Sequence, residues 1–74
     1  MWRVIITCSG DAWKRYGTDF LALAGKYPST IVSSKKTPDG KRFMEYQIED
    51  VGDAEDFEQE CQNLDGFTAR FESL

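Results

Sequence analysis

The sequence contains no histidine. That removes the commonest general base near neutral pH and the commonest metal ligand. It also rules out Ser-His and Cys-His nucleophilic pairs within one chain. Cysteine is scarce: Cys8 and Cys61 are the only two. They form no C-x-x-C pair, and alone they cannot complete a tetrahedral zinc site. Two cysteines are enough for one disulfide. The apolar pattern around each turns both inward, however, where free cysteine behaves as a small core residue. A reduced pair and a reducing compartment are the expectation. Long apolar runs are missing as well. The longest stretches, Val4–Ile6 and Phe20–Ala24, fall far short of the roughly 20 residues that span a bilayer. Arg3 and a strand-like run open the chain, unlike the apolar segment and small-residue cleavage site of a secretory leader. The expected location is cytoplasmic, and no cofactor is expected.

What is present is a core-forming composition. Of 74 residues, 41% are hydrophobic, including two Trp, three Tyr and five Phe. One domain spanning 1–74 is the natural reading. A chain this short buries only about 60% of its unfolded surface, so a core and a deep substrate cleft compete for the same residues. An enzyme is therefore not expected.

The apolar periods change along the chain. Trp2, Val4, Ile6 and Cys8 alternate with Arg3, Ile5 and Thr7, the period of a strand. Ile5 makes the second face partly apolar and places this strand centrally in a sheet. Ser9-Gly10-Asp11 follows as a turn and helix start, with Ser9 or Asp11 available to cap. Trp13, Tyr16, Phe20, Leu23 and Tyr27 then recur at helical spacing. Gly17 interrupts this stripe, so the helix either runs from Asp11 or begins at Thr18. In the second case Trp13 and Tyr16 lie exposed, as interface anchors. Gly25 and Pro28 close the helix.

Thr30–Lys36 and Lys41–Glu49 read as strands joined by Thr37-Pro38-Asp39-Gly40, a strong turn sequence. Asp53, with Asp56 three residues on, opens a second helix whose apolar stripe is Ala54, Phe57, Cys61 and Leu64. Gly66 ends it. Phe67, Ala69 and Phe71 alternate with Thr68, Arg70 and Glu72 as a fourth strand. The order β-α-β-β-α-β implies an α+β, ferredoxin-like plait: a four-stranded antiparallel sheet, spatial order 4-1-3-2, with two helices on one face.

Charge is segregated along the chain. Residues 1–42 hold eight basic and three acidic side chains, a net +5; residues 43–69 hold nine acidic and no basic ones. Glu49, Asp50, Asp53, Glu55, Asp56, Glu58 and Glu60 form a candidate acidic patch for a basic partner. The overall charge of −4 argues against nucleic acid as a direct ligand. Calcium needs Asp-x-Asp-x-Asp-Gly spacing, which Asp50 to Asp56 lack; a helix N-terminus explains these carboxylates. Gly40–Tyr46 is faintly similar to the third strand of an RNA-recognition motif, but Glu45 sits where an open-face aromatic would stack on a base.

From Trp2 to Phe71, element order, element lengths and the Gly66-Phe67 entry to the last strand resemble ACT-like regulatory domains. The resemblance is architectural. It implies a small effector, such as an amino acid, at the turn after the first strand, here Ser9, Gly10 and Asp11. The chain has Ser-Gly-Asp there in place of the family's usual Asp-x-x-Gly. The residues themselves point to a non-catalytic interaction or regulatory domain. Its open sheet face carries Ile5 and Phe43 at an apolar centre, with Arg3, Thr7, Glu45, Gln47, Thr68 and Arg70 as a polar rim. A protein partner is expected, a homodimer included, with neither nucleic acid nor membrane. The alternative is a stand-alone acidic inhibitor of the phage type, whose Glu49–Glu60 surface fills a basic groove.

Overall fold

A computed structural model describes residues 1–73. Strand β1 (Trp2–Cys8) buries alternate residues: Val4, Ile6 and Cys8 face the core. Ser9 ends it in extended backbone, and its hydroxyl accepts the Ala12 N–H at 3.1 Å. That cap starts helix α1 (Gly10–Ala24). The helix is continuous through Gly17, which settles the alternative left open by the sequence. A Cβ at residue 17 would lie 3.2 Å from the Trp13 indole, so the glycine lets the ring lie flat on its own helix. Trp13 is thereby half-buried, packed on Phe20 and under the Arg42 guanidinium, 4.4 Å from the ring centroid. It belongs to the edge of the core, not to an exposed anchor segment. Gly25 caps α1 in right-handed backbone, so the position needs no left-handed freedom.

Strands β2 (Ser29–Lys36) and β3 (Arg42–Ile48) form the expected hairpin. Thr37 bonds Asp39 and receives the Lys41 N–H, while Gly40 takes φ +92°. Helix α2 (Val51–Gln62) begins earlier than expected, because Asp50 is the cap. Its carboxylate accepts the Asp53 N–H at 3.0 Å. Asp53 therefore sits inside the first turn and heads no capping box with Asp56. The helix also stops earlier, at Asn63 rather than Gly66. Gly66, at φ +83°, instead makes the turn into β4 (Phe67–Ser73).

The sheet order is β2-β3-β1-β4, every neighbouring pair antiparallel. This is the ferredoxin-like plait, with the spatial order anticipated from the element sequence. Buried side chains from both helices, Phe20 and Leu23 on α1 with Ala54, Phe57 and Cys61 on α2, join Val4, Ile6, Met44, Tyr46, Ile48 and Phe67 in one core cluster. Leu64, Ala69 and Phe71 flank this cluster half-buried.

Two glycines separate backbone strain from steric exclusion. Gly40 and Gly66 both have positive φ, but a Cβ at Gly40 meets nothing, whereas one at Gly66 would lie 2.7 Å from Ala12 Cβ. Gly40→Ala is expected to lower stability by about 1 kcal/mol, and Gly66→Ala by about 2–3 kcal/mol, through strain plus displacement of α1. Urea denaturation of both variants checks the order; equal losses would show that the α1 contact is soft.

Candidate functional site

The register builds the open face row by row. Because Val4 and Ile6 are fully buried under the helices, Arg3, Ile5 and Thr7 point to the other side of the sheet. Across β3, β1 and β4 the rows are Gln47–Arg3–Glu72, Glu45–Ile5–Arg70 and Phe43–Thr7–Thr68. The sheet thus brings Ile5 and Phe43 together with the six rim residues expected around them, Arg3, Thr7, Glu45, Gln47, Thr68 and Arg70. Phe43 is 41% exposed and Ile5 half-buried.

Arg3 lies across the middle. Its guanidinium donates to Glu72 at 2.6 Å and approaches Glu45 at 3.8 Å. Glu72 completes this clamp and was not counted in the expected rim, although its alternation with Arg70 carries it to the same face. Arg70 is exposed and forms no ion pair among the described residues.

The two sheet edges differ in how they are closed. β4 is covered by α2: Gln62 Nε2 donates to the Ala69 carbonyl at 2.7 Å, and Glu58 accepts the Phe71 N–H at 2.9 Å. These are outward-facing backbone groups that would otherwise invite a neighbouring strand. β2 carries a register shift between Ile31 and Ser33, then exposed Lys35 and Lys36. A bulge and lysines both oppose strand addition.

The acidic patch is partly committed to the fold. Asp50 caps α2 and Glu58 closes β4. Glu60 accepts from the Tyr27 hydroxyl and pairs with Lys26 at 3.5 Å. The Tyr27 hydrogen bond, more than the nearby lysine, holds the Glu60 carboxyl below its usual range. The same bond is the main cause that pushes Tyr27 up to about 12, with desolvation second. Glu49, Glu55 and Asp56 are exposed and Asp53 is half-buried. None of these four carboxylates forms an ion pair with a described residue.

The Ser9-Gly10-Asp11 turn is also used structurally. Ser9 is the α1 cap, and Gly10 packs so closely on the hairpin turn that a Cβ would lie 2.9 Å from the Gly40 carbonyl oxygen. Beside it lies an open depression of about 390 Å³, where Lys14, Lys36 and Arg42 are interleaved with Asp11 and Asp39. The hydrogen bond from Thr37 is the main cause keeping Asp39 below its ordinary pKa.

Both cysteines are free and buried. Burial raises the Cys8 thiol despite Arg42, and it pushes Cys61 up to about 12. Protonated, enclosed thiols are poor nucleophiles. Among the described residues no group of three Cys, Asp or Glu is placed to hold a metal ion, and no helix is long and apolar enough to cross a membrane. No family model, curated protein or solved structure matches the chain significantly.

Two predictions follow from the acidic helix. Glu58→Ala should cost about 1–2 kcal/mol, because the Phe71 N–H loses a charged acceptor. Glu55→Ala, on the solvated side, should change stability by less than about 0.5 kcal/mol. Urea titration distinguishes them, and equal effects would mean that α2 does not guard the β4 edge. The Tyr27–Glu60 bond supplies the pH dependence. A depressed carboxyl stabilises the fold above the ordinary Glu range and ceases to as pH falls through its folded value. A raised phenol stabilises below the ordinary Tyr value and ceases to as pH rises through about 12. The stability gap between the native chain and Glu60→Gln should therefore be widest between about pH 5 and pH 10 and shrink on both sides. Thermal melts from about pH 3 to about pH 12 check this, and a gap that stays flat over that whole span contradicts the assignment.

Proposed function

We propose that the chain is a non-catalytic, cytoplasmic interaction domain that works through the open face of its sheet, in the regulatory manner that the ACT-like resemblance implies. One observation carries this reading. The helices cover one side of the sheet, both edges are guarded, and the remaining side displays Ile5 and Phe43 among charged and hydroxyl side chains. An apolar centre with a polar rim is the usual anatomy of a protein interface. Buried protonated thiols and the missing histidine support a binding role over a catalytic one. The same free thiols support a reducing compartment.

A second reading has its own observation. Glu49, Glu55 and Asp56 are exposed without ion pairs among the described residues, which suits an acidic inhibitor that occupies a basic groove.

The test compares capture from native lysate by the full chain, by Ile5→Lys/Phe43→Asp and by Glu55→Lys/Asp56→Lys. Circular dichroism confirms that each variant is folded. The sheet-face reading expects a partner whose recovery falls about tenfold or more with the first variant, since buried apolar anchors dominate interface energy. It expects little change with the second. Loss confined to the second variant, together with release by salt above about 0.3 M, favours the inhibitor.

A further inference from the structure

We propose that the occupant of the open face is a second copy of this chain, packed face to face about a two-fold axis that runs parallel to β1 through Ile5. The inference rests on the sheet-face reading above and names its partner. Strand addition is opposed at both edges, by Gln62 and Glu58 along β4 and by the bulge and lysines of β2. Leu21 on α1 and Ile31 and Val32 on β2 are exposed as well, so edge protection alone does not select the open face; its charge order does.

The charge order then selects the geometry. In the row Glu45–Ile5–Arg70, an anion and a cation stand on opposite sides of an apolar residue. Rotation about an axis parallel to β1 exchanges the two sides. Ile5 then meets Ile5 of the second copy, and each Glu45 faces Arg70 of the other. One row along, Phe43 covers Thr68 of the second copy. In the other direction Arg3 faces its own equivalent, but each guanidinium is already neutralised by Glu72 at 2.6 Å and flanked by Glu45. An axis perpendicular to the strands would instead set Glu45 against Glu45 and Arg70 against Arg70, which is repulsive. Arg70, exposed and without an ion pair among the described residues, thereby gains a carboxylate. Aligned sheets pack with strand directions within about 30°, a rotation that leaves contacts close to the axis intact.

The size of the face sets the strength. With the axis on β1, three strands of about seven residues, β3, β1 and β4, overlap; they cover roughly 300 Å² in plan, less than a stable interface buries on each side. The dimer is therefore weak and concentration-dependent, with Kd on the order of 0.1 mM.

A charge exchange tests this without identifying any further partner. The Glu45→Arg chain carries cations at both positions 45 and 70, and the Arg70→Glu chain carries anions at both. Each alone should be monomeric, its Kd raised by about 100-fold through two like-charge contacts per dimer. Mixed in equal amounts, the two should form a heterodimer, because each contact then joins opposite charges. Sedimentation velocity at low salt, from about 10 µM to about 1 mM, reads the association. Amide NMR spectra confirm that both variants are folded.

A dimerising native chain, two monomeric variants and a dimeric mixture support the proposal. A native chain that stays monomeric, variants that self-associate like the native chain, or a mixture that stays monomeric would each overturn it. If the native chain is monomeric while Ile5→Lys/Phe43→Asp still abolishes lysate capture, self-association fails and the sheet-face reading stands. If capture is also unaffected, both fail.

Discussion

The fold depends on the aromatic cluster around Phe20. Its ring lies 5.7–6.1 Å from those of Tyr46, Phe57, Phe67 and Trp13, so one side chain of α1 touches β3, α2, the start of β4 and its own helix. Truncating such a residue costs about 3–5 kcal/mol, comparable with everything a core of this size supplies. Both helices must therefore share one side of the sheet. A second cluster on the opposite face would need large side chains that the chain does not have to spare. The bare face is a consequence of small size, before it is a feature of function.

A bare face with free edges would make such a sheet prone to indiscriminate pairing. The acidic helix answers part of that hazard. Glu58 and Gln62 bond the outward groups of β4, Glu60 ties α2 to Tyr27 beyond α1, and Asp50 starts the helix. Several carboxylates that look like a uniform patch in the sequence are thus divided between holding α2 in place and meeting solvent. The β2 edge, remote from α2, uses a bulge and lysines in place of a covering helix.

Much of this was legible from periodicity. The alternation in Trp2–Cys8 fixed its inward residues, and Thr37-Pro38-Asp39-Gly40 fixed the hairpin. The period-two pattern also put Ile5, Phe43, Arg3 and Arg70 on one face. Other features were hidden for identifiable reasons. Gly17 reads as a break because its missing side chain is informative only once the Trp13 ring is known to lie on it. Asp50 and Asp53 are equally good caps by type, and the geometry of the β3–α2 connection chooses between them. Glu58 could not be separated from Glu55 because its partner is the Phe71 N–H, a backbone group placed by the tertiary fold.

Periodicity assigns a residue to a face but leaves open what stands beside it. The neighbours of Ile5 depend on the register of two separate strand pairs, β1 with β3 and β1 with β4, which arise from opposite ends of α2. Only when both registers are set do Glu45 and Arg70 fall in one row with Ile5 between them. Shifting either strand by two residues would keep every side chain on its present face. It would also set Ile5 beside Gln47 or Phe43 on one side, or beside Glu72 or Thr68 on the other, and the opposed charges would be lost. The core is indifferent to such a shift in pattern, though not in packing. The order of charges across the open face is therefore constrained by the hairpin turn, the Asp50 cap and the Gly66 turn, which together set where β3 ends and β4 begins.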